Sequence, residues 1–216
     1  MADDFAGYMR SQGQSEGGRL AHLVDGFDWG ALGAATVVDV GGSTGQASIA
    51  LSMAFPRLQF TVQDLPEVVA SAHTALQVLP APVAERIRFE PHDFFTPQPQ
   101  SAPDIYLLRK ILHDWPASQA HHILNHLAAA LRDGGNHRAR LLIMDTILPP
   151  PGTLSAAQEA RLRVRDLTMA QSFNSKEREL GEWEHLFAST EPPLSLQAWR
   201  QPHGSTMAIM EVGLAG

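Results

Sequence analysis

Four groups of residues in this chain have the types and spacing for chemistry. Gly41, Gly42 and Gly45 form a turn between a β-forming run and an alanine-rich helical segment. Such a turn lets a nucleotide-like ligand meet bare backbone at a helix N-terminus. Asp64 lies roughly 20 residues further on, at the end of a second apolar run, where a strand-end acid accepts hydrogen bonds from a ribose. Its plain alternative is a helix N-cap next to Pro66. Asp93 stands before Phe94 and Phe95 after a third run. A carboxylate beside an aromatic face suits an adenine, and two loop phenylalanines equally suit a core plug. Arg109, Lys110, His113 and Asp114 follow a fourth run. Histidine, with an ordinary pKa of about 6.5, moves protons at neutral pH, so His113 is the candidate acid–base group.

The elements that must position these groups read as an alternation of strands and helices. Strands are expected at 36–40, 58–62, 86–90, within 102–108, and at 140–144, where Asp145 ends the run. Helices are expected at 43–55, 67–79 and 116–131, with Ser43 or Thr44 capping the first of them. In an open parallel sheet the carboxyl ends of the strands line the ligand crevice, so all four groups would meet at one edge. The stiff link Pro149-Pro150-Pro151-Gly152 leads to helices at 156–171 and 179–188. Late strands at 194–200 and 206–212 share a short link and read as an antiparallel hairpin. Residues 5–24, with Phe5, Tyr8, Met9, Leu20, Leu23 and Val24, read as a broken helical lead-in. His122 and His126 stand four apart without a further ligand at helical spacing, which reads as a solvated face rather than a metal pair. Arg161, Arg163 and Arg165 read the same way. There are no internal repeats and no second core, so one domain is expected.

Composition narrows the function classes. The chain has 216 residues, 44% hydrophobic and 18% charged, the profile of an ordinary globular domain. A net charge of −7 opposes a general nucleic-acid footprint. Cysteine is absent, which suits a reducing compartment. The acidic start Met1-Ala2-Asp3-Asp4 lacks a signal-peptide core. No apolar run approaches the roughly 18 residues of a membrane span. The expectation is a cytoplasmic protein with no nucleic-acid or membrane partner.

The glycine spacing selects among ligands. A dinucleotide fingerprint starting at Gly41 would place glycines where Ser43 and Gln46 stand. Asp39-x-Gly41-x-x-x-Gly45 instead resembles the first motif of S-adenosylmethionine (SAM) methyltransferases. Five further blocks stand in register with it: Asp64-Leu65-Pro66, His92-Asp93-Phe94-Phe95, Ile111-Leu112-His113-Asp114-Trp115, Ile147-Leu148-Pro149 and Ser175-Lys176-Glu177-Arg178-Glu179. Together they resemble the caffeate-type small-molecule O-methyltransferases, nearest the fungal branch that acts on polyketides and other secondary metabolites. The resemblance runs from about Phe27 to the C-terminus.

The resemblance implies an α/β fold: a Rossmann-like, mostly parallel seven-stranded SAM-methyltransferase sheet with a C-terminal antiparallel hairpin. Residues 1–35 would form a helical lead-in and 36–216 the catalytic domain, without the N-terminal dimerisation domain usual in the family. It implies that Gly41 and Gly42 hold the methionine part of SAM, Asp64 the ribose, and Asp93 with Phe94 the adenine. Arg109 matches a cofactor-contacting lysine. His113 matches the catalytic base, flanked by Asp145 and Glu177, and Asp166, Met169 and Phe173 fall on the helix facing a small-molecule acceptor. The faces left by the missing domain, near 5–24 and 166–173, would expose apolar side chains for self-association or a partner chain.

This chemistry fits the residue types. A phenol has a pKa of about 10 and needs a base before it becomes a nucleophile. A neutral histidine can take that proton, and a carboxylate on its other ring nitrogen fixes the tautomer. The sulfonium methyl is already activated, so alignment is the remaining task. Three departures from the family stand out. Ser43 replaces a loop glycine, Asp145 is one methylene shorter than the usual glutamate, and only the lead-in precedes the SAM loop, so the chain reads as the catalytic domain alone. Two other readings remain: a SAM-binding cyclase or pericyclase that uses the sulfonium charge, and an inactive or regulatory SAM-binding module that needs a partner. A nicotinamide dehydrogenase is disfavoured by the glycine spacing.

Overall fold

The computed structural model describes residues 16–99 and 102–216. Phe5, Tyr8 and Met9 of the expected lead-in lie outside the described residues. The chain opens with a 3₁₀ turn at Glu16–Gly18, helix α1 (Ala21–Asp25) and a second 3₁₀ turn at Trp29–Leu32. Then come β1 (Ala35–Val40), α2 (Gln46–Ala54), β2 (Leu58–Asp64), α3 (Pro66–Leu76), α4 (Ala81–Ala84), β3 (Ile87–Pro91) and β4 (Ile105–Arg109). A 3₁₀ turn at Leu112–Asp114 leads into α5 (Ala117–Asp133), β5 (Arg140–Asp145) and β6 (Ile147–Leu148). The chain ends with α6 (Ala156–Phe173), β7 (Arg178–Glu179), α7 (Leu180–Ala188), β8 (Leu194–Arg200) and β9 (Ala208–Leu214).

Seven strands form one sheet in the order β3-β2-β1-β4-β5-β9-β8. The pairs from β3 to β5 are parallel, and β9 runs antiparallel to both β5 and β8. Alternate side chains enter opposite cores, as the two-residue period of a strand requires. Val38, Tyr106, Leu108, Leu141 and Ile143 pack with α5 and α7 on one face. Val37, Phe60, Ile105, Leu107, Leu142 and Met144 pack with Trp29 and Leu51 on the other. The central strands β4 and β5 are therefore buried on both sides, which explains their unbroken apolar runs. Leu23, expected on an uncovered face, is fully buried in the second core.

Two local features differ from the sequence reading. Helix α2 begins at Gln46, and neither Ser43 nor Thr44 caps it. Gly45 takes the N-cap position with φ 74°, and no side-chain cap bond forms. Ser43 itself has φ 52°, so the loop passes through left-handed backbone before the helix starts. Second, β6 and β7 pair in parallel, Ile147 with Arg178 and Leu148 with Glu179. Two-residue strands carry no readable period, so this link was invisible in the sequence. It ties the segment carrying Glu177 to the end of β5.

Trp183 secures that link. It is fully buried, its Nε1–H donates to the Thr146 carbonyl at 3.0 Å, and the Arg178 guanidinium lies 5.0 Å over its ring. Trp183→Ala should cost about 3–5 kcal/mol of stability. Urea unfolding monitored by circular dichroism measures this; a loss below about 1 kcal/mol would mean that the pocket collapses without penalty.

Candidate active site

The carboxyl ends of β1 to β5 converge, and the chemical residues converge with them. The Gly41 backbone has φ 69°, and a Cβ there would lie 2.7 Å from Ile111 Cδ1 and 3.3 Å from Phe94. Glycine is thus required twice over, by conformation and by the approach of two neighbouring loops. At Gly42 a Cβ would meet the Asp39 carboxylate and Val62. The Ser43 N–H donates to Asp64 Oδ2 at 2.7 Å, and the Leu65 N–H donates to Asp64 Oδ1 at 2.8 Å. Asp64 therefore braces the glycine loop from the end of β2. Asp93 is exposed, and its Oδ1 accepts from the Phe95 N–H at 2.9 Å. Phe94 and Phe95 stand edge-on to Trp115 with ring centroids 5.8 and 4.8 Å away. Both phenylalanines pack on the first core, yet Phe94 also abuts the glycine loop.

Arg109 leaves β4 half-buried, and its Nη2 donates to the Gly18 carbonyl at 2.6 Å. That bond fastens the lead-in to the site edge, and the Thr206 N–H donating to the Gly17 carbonyl fastens it again. The next residue, Lys110, has φ 58°, which turns the chain sharply toward His113. Burial pushes the Lys110 ammonium down to about 8, with Arg109 and Arg165 adding repulsion.

His113 is the centre of a buried charge cluster. Its backbone N–H donates to Asp145 Oδ2 at 3.2 Å, and its carbonyl accepts from Ser175 Oγ at 2.6 Å. Ring Nδ1 lies 3.3 Å from Glu177 Oε1 and 3.7 Å from Asp145 Oδ1. The shorter Asp145 side chain thus reaches the backbone amide as well as the vicinity of the ring. Ring Nε2 lies 3.4 Å from Asp114 Oδ1 but finds no hydrogen-bond partner. Burial disfavours the imidazolium, but Asp145, Glu177 and Asp114 outweigh it and raise the His113 pKa above its ordinary value. Burial also pushes Asp114 up to about 6, with His113 opposing and the other two carboxylates adding. For Glu177 burial is outweighed by His113 and Arg165, which hold its carboxyl below the usual range.

Two arginines complete the cluster. Arg178 donates to the Leu112 and Trp115 carbonyls, both at 2.7 Å, and so fixes the turn that carries His113. Arg165, read as part of a solvated face, instead reaches inward. Its Nε lies 2.6 Å from Glu177 Oε1 and its Nη2 lies 3.4 Å from His113 Nδ1. Sequence reasoning missed it because one arginine in an arginine-rich helix carries no mark of direction. Asp166 accepts the Glu177 N–H at 2.9 Å, so it supports the cluster from α6. Met169 is buried on the same helix and Phe173 is half-buried near its end. His122 and His126 are not simply solvated either: their Nε2 atoms lie 3.2 and 3.0 Å from the Phe95 carbonyl. His113, Asp145 and Glu177 gather their side-chain nitrogen and oxygen atoms within 4.8 Å of one another. Here the Arg165 guanidinium already supplies positive charge to that cluster.

The O-methyltransferase domain family matches residues 6–191 of the chain. O-methyltransferase VdtC of Byssochlamys spectabilis is 53% identical over 210 residues, covering 96% of this chain and 48% of its own length. Among solved structures, one described as a pericyclic reaction enzyme is 32% identical with a TM-score of 0.71, over 88% of this chain and 45% of that one. The O-methyltransferase NcsB1 from neocarzinostatin biosynthesis, in complex with SAM and 2-hydroxy-5-methyl naphthoic acid, is 28% identical with a TM-score of 0.73, over 90% and 53%. The chain spans about half the length of the curated relatives it matches.

Beneath the glycine loop, burial raises the Asp39 pKa from 3.8 to about 6, opposed by a hydrogen bond from Ser48 Oγ at 2.7 Å. An acid held above its unfolded value binds its proton more tightly in the native state. Its contribution is therefore fully present below the unfolded pKa and lost as pH rises through the folded one. Urea unfolding of wild type and Asp39→Asn between pH 4 and 7 should show the wild-type advantage shrinking by about 2–3 kcal/mol as pH rises through this window. A constant difference would contradict the assignment.

Proposed function

The chain belongs to the O-methyltransferase domain family, and from that premise we propose that it transfers the methyl group of SAM to a phenolic or enolic hydroxyl of a small secondary metabolite. The observation that carries this reading is the state of His113: Nδ1 faces Glu177 and Asp145, while Nε2 is buried without a hydrogen-bond partner. With Nδ1–H directed at a carboxylate, Nε2 holds the lone pair and acts as general base toward the acceptor hydroxyl. The carboxylates stabilise the imidazolium that forms. SAM supplies an already activated methyl group.

The chain's residues fit that cofactor. Gly41 offers backbone that a Cβ would obstruct, and with Gly42 it takes the methionine part. Asp64, at the end of β2, takes the ribose. Asp93 and Phe94, beside the glycine loop, take the adenine by hydrogen bonding and stacking. Arg109 has a buried Nε without a hydrogen-bond partner and lies along the same edge. Met169 and Phe173 contribute apolar surface to the acceptor side. Asp166 acts there chiefly by holding the Glu177 backbone. In domain terms, 36–216 is the catalytic domain and 1–35 its lead-in.

Two further elements of the reading rest on particular observations. Val164 and Leu167, exposed by 64% and 67% on α6, favour self-association or a partner chain. Absence of cysteine favours the cytoplasm; no helix among the described residues is long and apolar enough to cross a membrane. A second reading, a SAM-binding cyclase or pericyclase, is favoured by the likeness to a pericyclic reaction enzyme. Product mass separates the two: a gain of one methyl group supports transfer, and an isomer of the substrate supports cyclisation.

His113→Ala should lower methyl transfer by about 10²–10⁴-fold. SAM affinity by isothermal titration calorimetry should stay at the wild-type value. Wild-type turnover in the variant would remove His113 from the mechanism.

A further inference from the structure

Arg165 contacts both members of the pair proposed to do acid–base chemistry. One carboxylate oxygen, Glu177 Oε1, faces Arg165 Nε at 2.6 Å and His113 Nδ1 at 3.3 Å. A third side of the triangle, Arg165 Nη2 to His113 Nδ1, measures 3.4 Å. A guanidinium only donates. It can therefore donate to Nδ1 only when that nitrogen lacks a proton, and then Nε2 carries the proton and is no base. The Arg165 Nε holds Glu177 in either case; with the proton on Nδ1, Oε1 is fixed where the Nδ1–H can meet it and Nε2 is left with its lone pair. Nδ1 lies nearly midway, 3.3 Å from Oε1 and 3.4 Å from Nη2, and the second arrangement is the one that the proposed base requires.

Charge points the same way. Three carboxylates surround the ring: Asp114 on its own turn, Asp145 at the end of β5, and Glu177 beside β7. Asp166 on α6 is occupied by the Glu177 N–H. Arg178 is directed at the Leu112 and Trp115 carbonyls, and the Lys110 ammonium feels the charges of Arg109, Arg165, Asp145 and Asp114. Among the described residues Arg165 is the cation in direct contact with the histidine–glutamate pair. Without it, the three acids would favour the imidazolium further and narrow the pH range in which the ring is a free base.

We propose that Arg165 is a positioning residue for His113: its guanidinium pins Glu177 against Nδ1 and supplies positive charge that offsets the carboxylates around the ring. The inference rests on His113 being the base, and the test separates the two claims. The titration of His113 is followed by long-range ¹H–¹⁵N NMR in the full chain, its signal assigned by loss in His113→Gln. In Arg165→Met the midpoint should rise by about 1–3 pH units, and Arg165→Lys should restore part of the shift. The acidic limb of the methyl-transfer profile should move up with it, so the variant recovers activity at higher pH. Arg165→Gln serves if the methionine variant does not fold. An unchanged His113 midpoint in a folded variant overturns the inference. A shifted midpoint upholds the link between Arg165 and His113 even where no acceptor is methylated, a result that would count against the proposed function alone.

Discussion

The structure depends on keeping charge buried beside His113. Asp145 and Glu177 are nearly or fully inaccessible to water, and such acids are tolerated only when cations and hydrogen bonds replace their hydration. Arg165 and the ring answer Glu177, and the His113 amide answers Asp145. Arg178 answers carbonyls of the turn itself. Removing any one member leaves another group unpaired, so the cluster works as a unit. Its net contribution to stability is small because desolvation offsets the Coulomb attraction. What it secures is one orientation of one imidazole.

Much of the surrounding architecture serves that cluster. The parallel strands β1 to β5 bring five loops to one edge. The small β6–β7 pairing then carries Glu177 and Arg178 back to the end of β5 from over 30 residues away. Trp183 buries the underside of that link. The glycine loop at the opposite side of the edge is braced by Asp64 and pressed by Ile111 and Phe94. Ile111 sits two residues before His113, so the proposed cofactor floor and the proposed base share one short segment. A displacement of that segment would disturb both.

The outer face of α6 contrasts with its inner one. Arg165, Asp166 and Met169 turn inward to the cluster, while Val164 and Leu167 face water. Two exposed aliphatic side chains on the helix that carries Arg165 place an uncovered surface directly behind the proposed base. The chain spans about half the length of O-methyltransferase VdtC.

Sequence alone determined the seven strands of the main sheet, because each is an apolar run of strand length bounded by turn residues. It also determined the glycine loop and the strand-end acids, because those positions follow directly from where each run stops. Tertiary structure alone decided where side chains on long polar helices point. Arg165 differs from Arg161 and Arg163 only in which way it faces, and that is set by a helix docking against a turn some 50 residues away. The same holds for the Ser43 backbone, which is left-handed with its N–H donating to Asp64 across the fold. Local sequence fixes what an element is; the partners it finds across the fold fix what its polar side chains do.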